Sequence, residues 1–251
     1  MTEKNRPRLE RLERELRFLS DIGAEFIFAP GGKRKTLMKG PEVGITPSAE
    51  AAPRSHIQRT GGAEKSKVLQ DLNQRILTCT LCPLSQGRTH AVPGEGNDRA
   101  ELMFVGEGPG ADEDSQGRPF VGRAGQLLSR IIAAMGFKRE DVYITNIVKC
   151  RPPKNRTPVR EEIEACRPYL IAQIEAIAPR VIVSLGKVAT DFFHPSPTGM
   201  TKLRGQFVES GKILVMPTFH PSYIVRNEGN KELKKLVWQD MKQVMAVLSK
   251  T

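Results

Sequence analysis

Four short apolar runs punctuate the chain from Leu102 onward: Leu102–Gly106 (LMFVG), Val142–Val148 (VYITNIV), Val181–Leu185 (VIVSL) and Ile213–Phe219 (ILVMPTF). The text between them has helical period. Val121, Ala124, Leu127, Leu128, Ile131, Ile132 and Met135 fall on one helix face after the first run. Thr157 followed by Pro158 is an N-cap and first-turn signal for a helix reaching Ala178. Lys187–Phe193 reads as a short helix and Lys231–Leu248 as a terminal amphipathic one. Strands separated by helix-length crossovers run parallel, and a parallel sheet is covered on both faces. The expected fold is therefore α/β, a three-layer α/β/α sandwich around a four-stranded parallel sheet. Such sheets build their sites from the loops at the carboxyl ends of the strands, which here read GEGPG, TNIVKC, SLG and FHPS.

The first 66 residues have a different character. Leu9, Leu12, Leu16 and Leu19 lie at helical spacing among Arg and Glu, which predicts a short amphipathic helix within residues 1–29. Residues 30–66 are rich in Gly, Pro, Ala, Lys and Ser, and no aromatic residue occurs between Phe28 and Phe104, as in a flexible linker. The folded domain is then expected over 67–251. The chain carries 39 Lys and Arg against 28 Asp and Glu, a net charge of +11. That balance favours an anionic partner, of which nucleic acid is the commonest. No apolar stretch approaches the roughly 18 residues of a membrane helix, and the N-terminus has no apolar signal core. A cytoplasmic protein with no membrane partner is expected.

Gly106, Gly108 and Gly110 follow the first strand, where missing side chains let backbone amides approach a ligand. The spacing meets neither the phosphate-binding GxxxxGK[ST] loop nor GxGxxG, which disfavours an ordinary nucleotide site. Phe120, in Arg118-Pro119-Phe120-Val121-Gly122, is either a core residue or a stacking platform for a flat base. Asn146 ends the second strand inside an apolar run; its donor and acceptor suit the edge of a pyrimidine, and a loop-capping role is the alternative. His220 ends the fourth strand beside Pro221 and Ser222. Cys79 and Cys82 form a C-x2-C element, and Cys150 and Cys166 are separated by 15 residues. Four such ligands suit a tetrahedral zinc or a cubane cluster. Spacing alone puts zinc slightly ahead and leaves unligated thiols open.

Taken together, Gly106-Glu107-Gly108-Pro109-Gly110, Gly117 to Gly122, the run Tyr143 to Pro153 and His220-Pro221-Ser222 resemble the family 4 uracil-DNA glycosylases, the iron-sulfur branch found in bacteria and archaea. The resemblance spans about Val68 to Leu248. It implies a uracil-DNA glycosylase-like fold and a monofunctional enzyme of base excision repair, an N-glycosyl hydrolase that flips uracil from single- or double-stranded DNA and leaves an abasic site. It also implies that Cys79, Cys82, Cys150 and Cys166 bind a structural 4Fe-4S cluster, reversing the preference for zinc. Asn146 would read the Watson-Crick edge of uracil, Phe120 would stack on it, and the amides of Gly106 to Gly108 would hold its oxygens. Glu107 would border the pocket, and His220 would donate to the uracil O2 as charge develops.

The best-known branch of that superfamily has an Asp where this chain has Gly108, an absence that family 4 shares. Either Glu107 orients the attacking water or a weakly activated water suffices; the second is preferred. For DNA the resemblance points to the basic loop Lys149, Arg151, Lys154, Arg156 and Arg160, with Arg204, Ser222 and Arg226 on other loops and Tyr223 or Ile224 as an intercalating wedge. A covalent uracil-trapping relative would need a His in the loop Lys154 to Pro158, which has none. A noncatalytic, polymerase-associated iron-sulfur module is disfavoured by the intact Asn146 and His220. A monomer is expected, with the N-terminal helix free to bind a replication or repair partner.

Overall fold

A computed structural model describes residues 62–250. The helix expected within 1–29 and nearly all of the linker expected over 30–66 lie outside the described residues. The elements in chain order are α1 (Gly62–Leu77), α2 (Leu84–Gly87), β1 (Glu95–Gly96), β2 (Leu102–Gly106), α3 (Ala111–Gln116), α4 (Arg123–Ala134), β3 (Tyr143–Asn146), α5 (Arg160–Ile177), β4 (Val181–Leu185), α6 (Lys187–Phe193), α7 (Met200–Leu203), β5 (Val208–Ser210), β6 (Ile213–Thr218), α8 (Pro221–Arg226) and α9 (Lys231–Leu248). Short 3-10 turns cover Arg139–Asp141 and Pro153–Asn155.

The sheet has six strands in the order β1-β3-β2-β4-β6-β5. Its inner four, β3-β2-β4-β6, are the four apolar runs and pair parallel. The expectation of a four-stranded sheet is corrected at both edges, where β1 and β5 add antiparallel pairings. They are two and three residues long, too short to leave a period-2 signal in the sequence.

Alternation along the inner strands sorts the core into two layers. Leu102, Phe104, Val181, Val183 and Met216 face α4 and α9 with Leu127, Leu128, Ile132, Trp238 and Met241. Met103, Val105, Ile182 and Val215 face the other way, onto Leu69, Leu72, Ile76, Leu170 and Ile174 of α1 and α5. Because successive side chains of a strand point to opposite faces, strands with apolar residues on both faces require a helical layer on each side. Helix α1 carries that requirement back to Gly62, into the stretch expected to be linker. Among the described residues no helix is long and apolar enough to cross a membrane.

One boundary of α5 differs from the sequence reading and the other agrees with it. Helix α5 begins at Arg160, with Val159 rather than Thr157 at its cap. The buried Glu162 carboxylate explains the delay, since it accepts from the Val159 backbone N–H (2.9 Å) and both its oxygens pair with Arg156. At the other end Ala178 closes the helix in the left-handed region, at φ +53°.

A buried ion pair anchors the last strand to the last helix. Asp240, fully buried on α9, receives the Arg204 guanidinium on both oxygens and the Thr218 hydroxyl at 2.6 Å. Thr218 ends β6 two residues before His220, so the pair fixes where that strand delivers its loop. Gly205 comes so close that a Cβ there would lie 2.7 Å from Asp240 Oδ1.

Candidate active site and cysteine cavity

The carboxyl ends of β2, β3 and β6 converge on one space, and Gly106 is its floor. A Cβ at Gly106 would lie 2.4 Å from Asn146 Oδ1 and 2.5 Å from Phe120 Cζ. Only a residue without a side chain lets those two groups close over the strand end. Asn146 is 1% exposed, and its Oδ1 has no hydrogen-bond partner. Buried acceptors are almost always paired, so this one is left able to accept from a donor placed over Gly106. Asn146 sits there because β3 pairs with β2 in the register Gly106 to Asn146. The register continues into the loops, with the Ile147 and Val148 N–H groups donating to the carbonyls of Gly106 and Glu107.

Phe120 is buried and adopts φ +51°, a costly conformation for a residue with a side chain. Its ring lies 5.8 Å from that of His220, tilted by 32°. His220 is delivered by β6 at the start of α8. Its Nδ1 accepts from the Ser222 backbone N–H (3.1 Å) and lies 2.8 Å from the Ser222 hydroxyl. A ring nitrogen that accepts from an amide carries no proton, so the neutral ring holds its hydrogen on Nε2. Burial, with Arg226 adding to it, lowers the His220 pKa to about 4. The side chain is thus a neutral donor across the whole range around pH 7. Burial also raises the carboxyl pKa of Glu107, against a hydrogen bond from Thr157. Thr157, expected to cap a helix, serves this carboxylate instead.

The cationic residues divide sharply. Lys149 was expected at the surface, but it is 1% exposed. Its Nζ donates to Thr145 Oγ1 (2.6 Å), to the carbonyl of Asn146 (2.7 Å) and to Gln173 Oε1 (2.7 Å). Burial lowers its pKa to about 7, opposed by Cys166 and Cys150. It therefore holds the end of β3 in place and is not available to a polyanion. Arg204 is corrected likewise, because its guanidinium is spent on Asp240 inside the protein. Arg156 is partly exposed but paired with Glu162. Ser222 turns its hydroxyl to His220. Arg151 bonds the Asn155 side chain through Nε, and Lys154, Arg160 and Arg226 are exposed. Of the two wedge candidates Ile224 is buried, at 2%, while Tyr223 is 41% exposed.

All four cysteines line a single cavity, together with Ile76, Lys149 and Tyr169. Their thiols are free. Burial pushes the Cys150 thiol up and the Cys166 thiol to about 11, so as thiolates they would need a compensating cation. Arg88 Nη1 donates to Cys150 Sγ (2.9 Å) and the Lys149 backbone N–H to Cys166 Sγ (3.3 Å). Arg88 also donates to the carbonyl of Leu77 at the end of α1. Sequence reasoning missed Arg88, which lies in an irregular segment with no motif to mark it. Among the described residues no three of His, Cys, Asp or Glu stand close enough together to hold one metal ion.

The model of the uracil DNA glycosylase superfamily matches residues 93–242. A type-4 uracil-DNA glycosylase of Thermotoga maritima is 48% identical over 188 residues, 74% of this chain and 97% of that protein. One from Archaeoglobus fulgidus is 44% identical over 181 residues, covering 67% of this chain and 91% of its own length. A third, from Pyrobaculum aerophilum, reaches 57% over a shorter stretch of 121 residues, 48% and 62% of the two chains.

The His220 geometry sets a pH dependence of stability. The unfolded chain takes up this proton near the ordinary 6.5, the folded chain only at about 4. Protonation between those values favours the unfolded state, so stability contributed by the buried neutral ring falls as pH drops from 6.5 towards 4. Urea unfolding across that window is expected to show a steeper loss for the wild type than for His220→Gln, and parallel curves would refute the assignment.

Proposed function

The chain belongs to the uracil-DNA glycosylase superfamily, and from that membership we propose that it is a type-4 enzyme whose base pocket is formed by Gly106, Phe120, Asn146 and His220. The chain excises uracil from DNA. The observation that carries the pocket is the unpartnered Asn146 Oδ1. A uracil placed over Gly106 offers its N3–H to that oxygen, and the Asn146 Nδ2 donates to O4. Cytosine presents an acceptor at N3 and a donor at C4, so both contacts become mismatches in a site without water to repair them. Phe120 stacks on the flat face of the base, which reaches the pocket only when turned out of the helix.

The reaction breaks the bond between C1′ and N1, and its electron pair leaves with uracil. Negative charge develops on the uracil O2, where the neutral His220 donates from Nε2. Donation from a neutral ring needs no proton transfer, so the base leaves as an anion held by hydrogen bonds. Water adds to C1′ and its proton passes to the departing uracil anion, producing uracil and the abasic sugar. A weakly activated water suffices once positive charge has formed on the sugar, and the Glu107 carboxylate, held by Thr157, borders the pocket. A donor of this kind is worth about 2.7 to 4 kcal/mol. His220→Ala is therefore expected to slow single-turnover excision by roughly a hundredfold or more, and an unchanged rate would remove His220 from the mechanism.

The half-buried Arg151 and the exposed Lys154 and Arg160, on the segment that follows Cys150, with Arg226 beyond the histidine loop, are proposed to hold DNA phosphates. Replacing Arg151 or Lys154 by Ala should each reduce the slope of log affinity against log salt by about one. Lys149→Met should leave that slope alone and lower stability instead, because it strands three buried acceptors. Equal slopes for all three variants would contradict the division between surface and interior.

The cysteine cavity is proposed to hold a 4Fe-4S cluster. The donor set fits, since four thiols line one cavity and four thiolates suit a cubane cluster. Such a group supplies a structural tie rather than a reacting centre. Cys79 and Cys82 would fasten the segment after α1, Cys150 the loop after β3, and Cys166 helix α5. Arg88 and the Lys149 amide donate to two of the sulfurs. Analysis of the purified protein is expected to find iron and acid-labile sulfide in equal amounts, and stoichiometric zinc without iron would overturn this reading. The N-terminal helix expected within 1–29 is proposed to bind a replication or repair partner of a monomeric, cytoplasmic enzyme.

A further inference from the structure

One carboxylate joins the two loops that meet above Gly106. Glu113 stands in the first turn of α3, and its Oε2 accepts from the backbone N–H of Gly110 (3.1 Å). Its Oε1 accepts from the backbone N–H groups of Val121 and Gly122, both at 2.9 Å. Gly110 ends the Gly-rich loop leaving β2, and Val121 and Gly122 directly follow Phe120. The local reach back to Gly110 is the side-chain half of a capping box. The longer reach to Val121 and Gly122 lies outside that capping box; it ends at Gly122, the residue that caps α4, and so ties the start of α4 to the turn at Phe120.

Phe120 needs such a restraint. A left-handed conformation at a residue with a side chain persists only where the surroundings over-determine it. The peptide before Phe120 is held from the other side, where Arg139 donates to the Pro119 carbonyl and is itself oriented by Glu95 at 2.6 Å. Beneath it, a Cβ at Gly125 would lie 1.9 Å from the Phe120 carbonyl oxygen. The peptides after Phe120 are held by Glu113.

We propose that Glu113 is the positioning residue that presets the Phe120 ring as a stacking platform and fixes its distance from the loop Gly106 to Gly110. It acts through Phe120 and touches no atom of the substrate. The proposal rests on the reading of Phe120 as the base-stacking residue. Three N–H donors use both carboxylate oxygens. A glutamine of the same size keeps one acceptor and turns an NH2 group towards donors of one loop.

The test is a double-mutant cycle with Glu113→Gln, Phe120→Ala and the double variant, read by single-turnover uracil excision and by calorimetric binding of free uracil, with thermal unfolding as a control. Glu113→Gln is expected to lower the excision rate and the uracil affinity by about tenfold. In the Phe120→Ala background the same change should cost less than about twofold, because the ring through which it acts is gone. An unchanged Glu113→Gln variant, or the same loss in both backgrounds, overturns the proposal, since a purely structural contribution would add. If Glu113→Gln does not fold, Glu113→Asp keeps the charge but is too short to span both loops, and it enters the same cycle. A wild type that releases no uracil would refute the glycosylase reading, while the uracil-binding cycle still judges the clamp.

Discussion

Contact between three groups that have almost no room governs the carboxyl edge of this sheet. Gly106, Phe120 and Asn146 come from two strands and a loop, and a single methyl group at Gly106 would collide with both of the others. The pairing of β2 with β3 brings Asn146 beside Gly106, and the left-handed turn at Phe120 swings the ring inward. His220 then closes the remaining side. The pocket is rigid because each wall is a consequence of sheet register or of a turn anchored by side chains.

Lys149 carries the influence of the second centre to the first. Its side chain holds the Asn146 carbonyl, and its own amide donates to Cys166 Sγ. One residue thus touches both the end of β3 and the cavity that collects the cysteines. Buried beside it, Thr145, Gln173 and Tyr143 form a hydrogen-bonded network with the carbonyl of Pro93. Such a network makes a demand on the core that apolar packing alone does not, because every member must find its partner in one arrangement. Strand β3 is therefore specified by polar contacts on one face and by packing on the other.

The sequence made the inner sheet legible because its strands are mostly apolar runs and its crossovers have helical period. Both signals are strong and local. Asn146 and His220 could be found as polar residues at strand ends, and Gly106 as a glycine immediately beyond an apolar run. What could not be read was the direction in which a charged side chain turns. Lys149 and Arg204 look like their exposed neighbours in the text, yet both point inward to partners 24 and 36 residues away. Glu113, Arg88 and Asp240 were missed for the same reason, since their partners are backbone atoms, a sulfur and a distant guanidinium. The two edge strands escaped because a pairing of two or three residues has no periodicity to detect.

Those edge strands have a consequence for how the molecule behaves among copies of itself. A parallel sheet left open at β3 and β6 would present rows of unpaired backbone groups, the template on which proteins stack into aggregates. Here each side is covered by a strand of only two or three residues that runs the opposite way. An incoming chain would find too few free amides in line to extend the sheet. Crowded with its own kind along a stretch of DNA, the protein has little edge through which to polymerise.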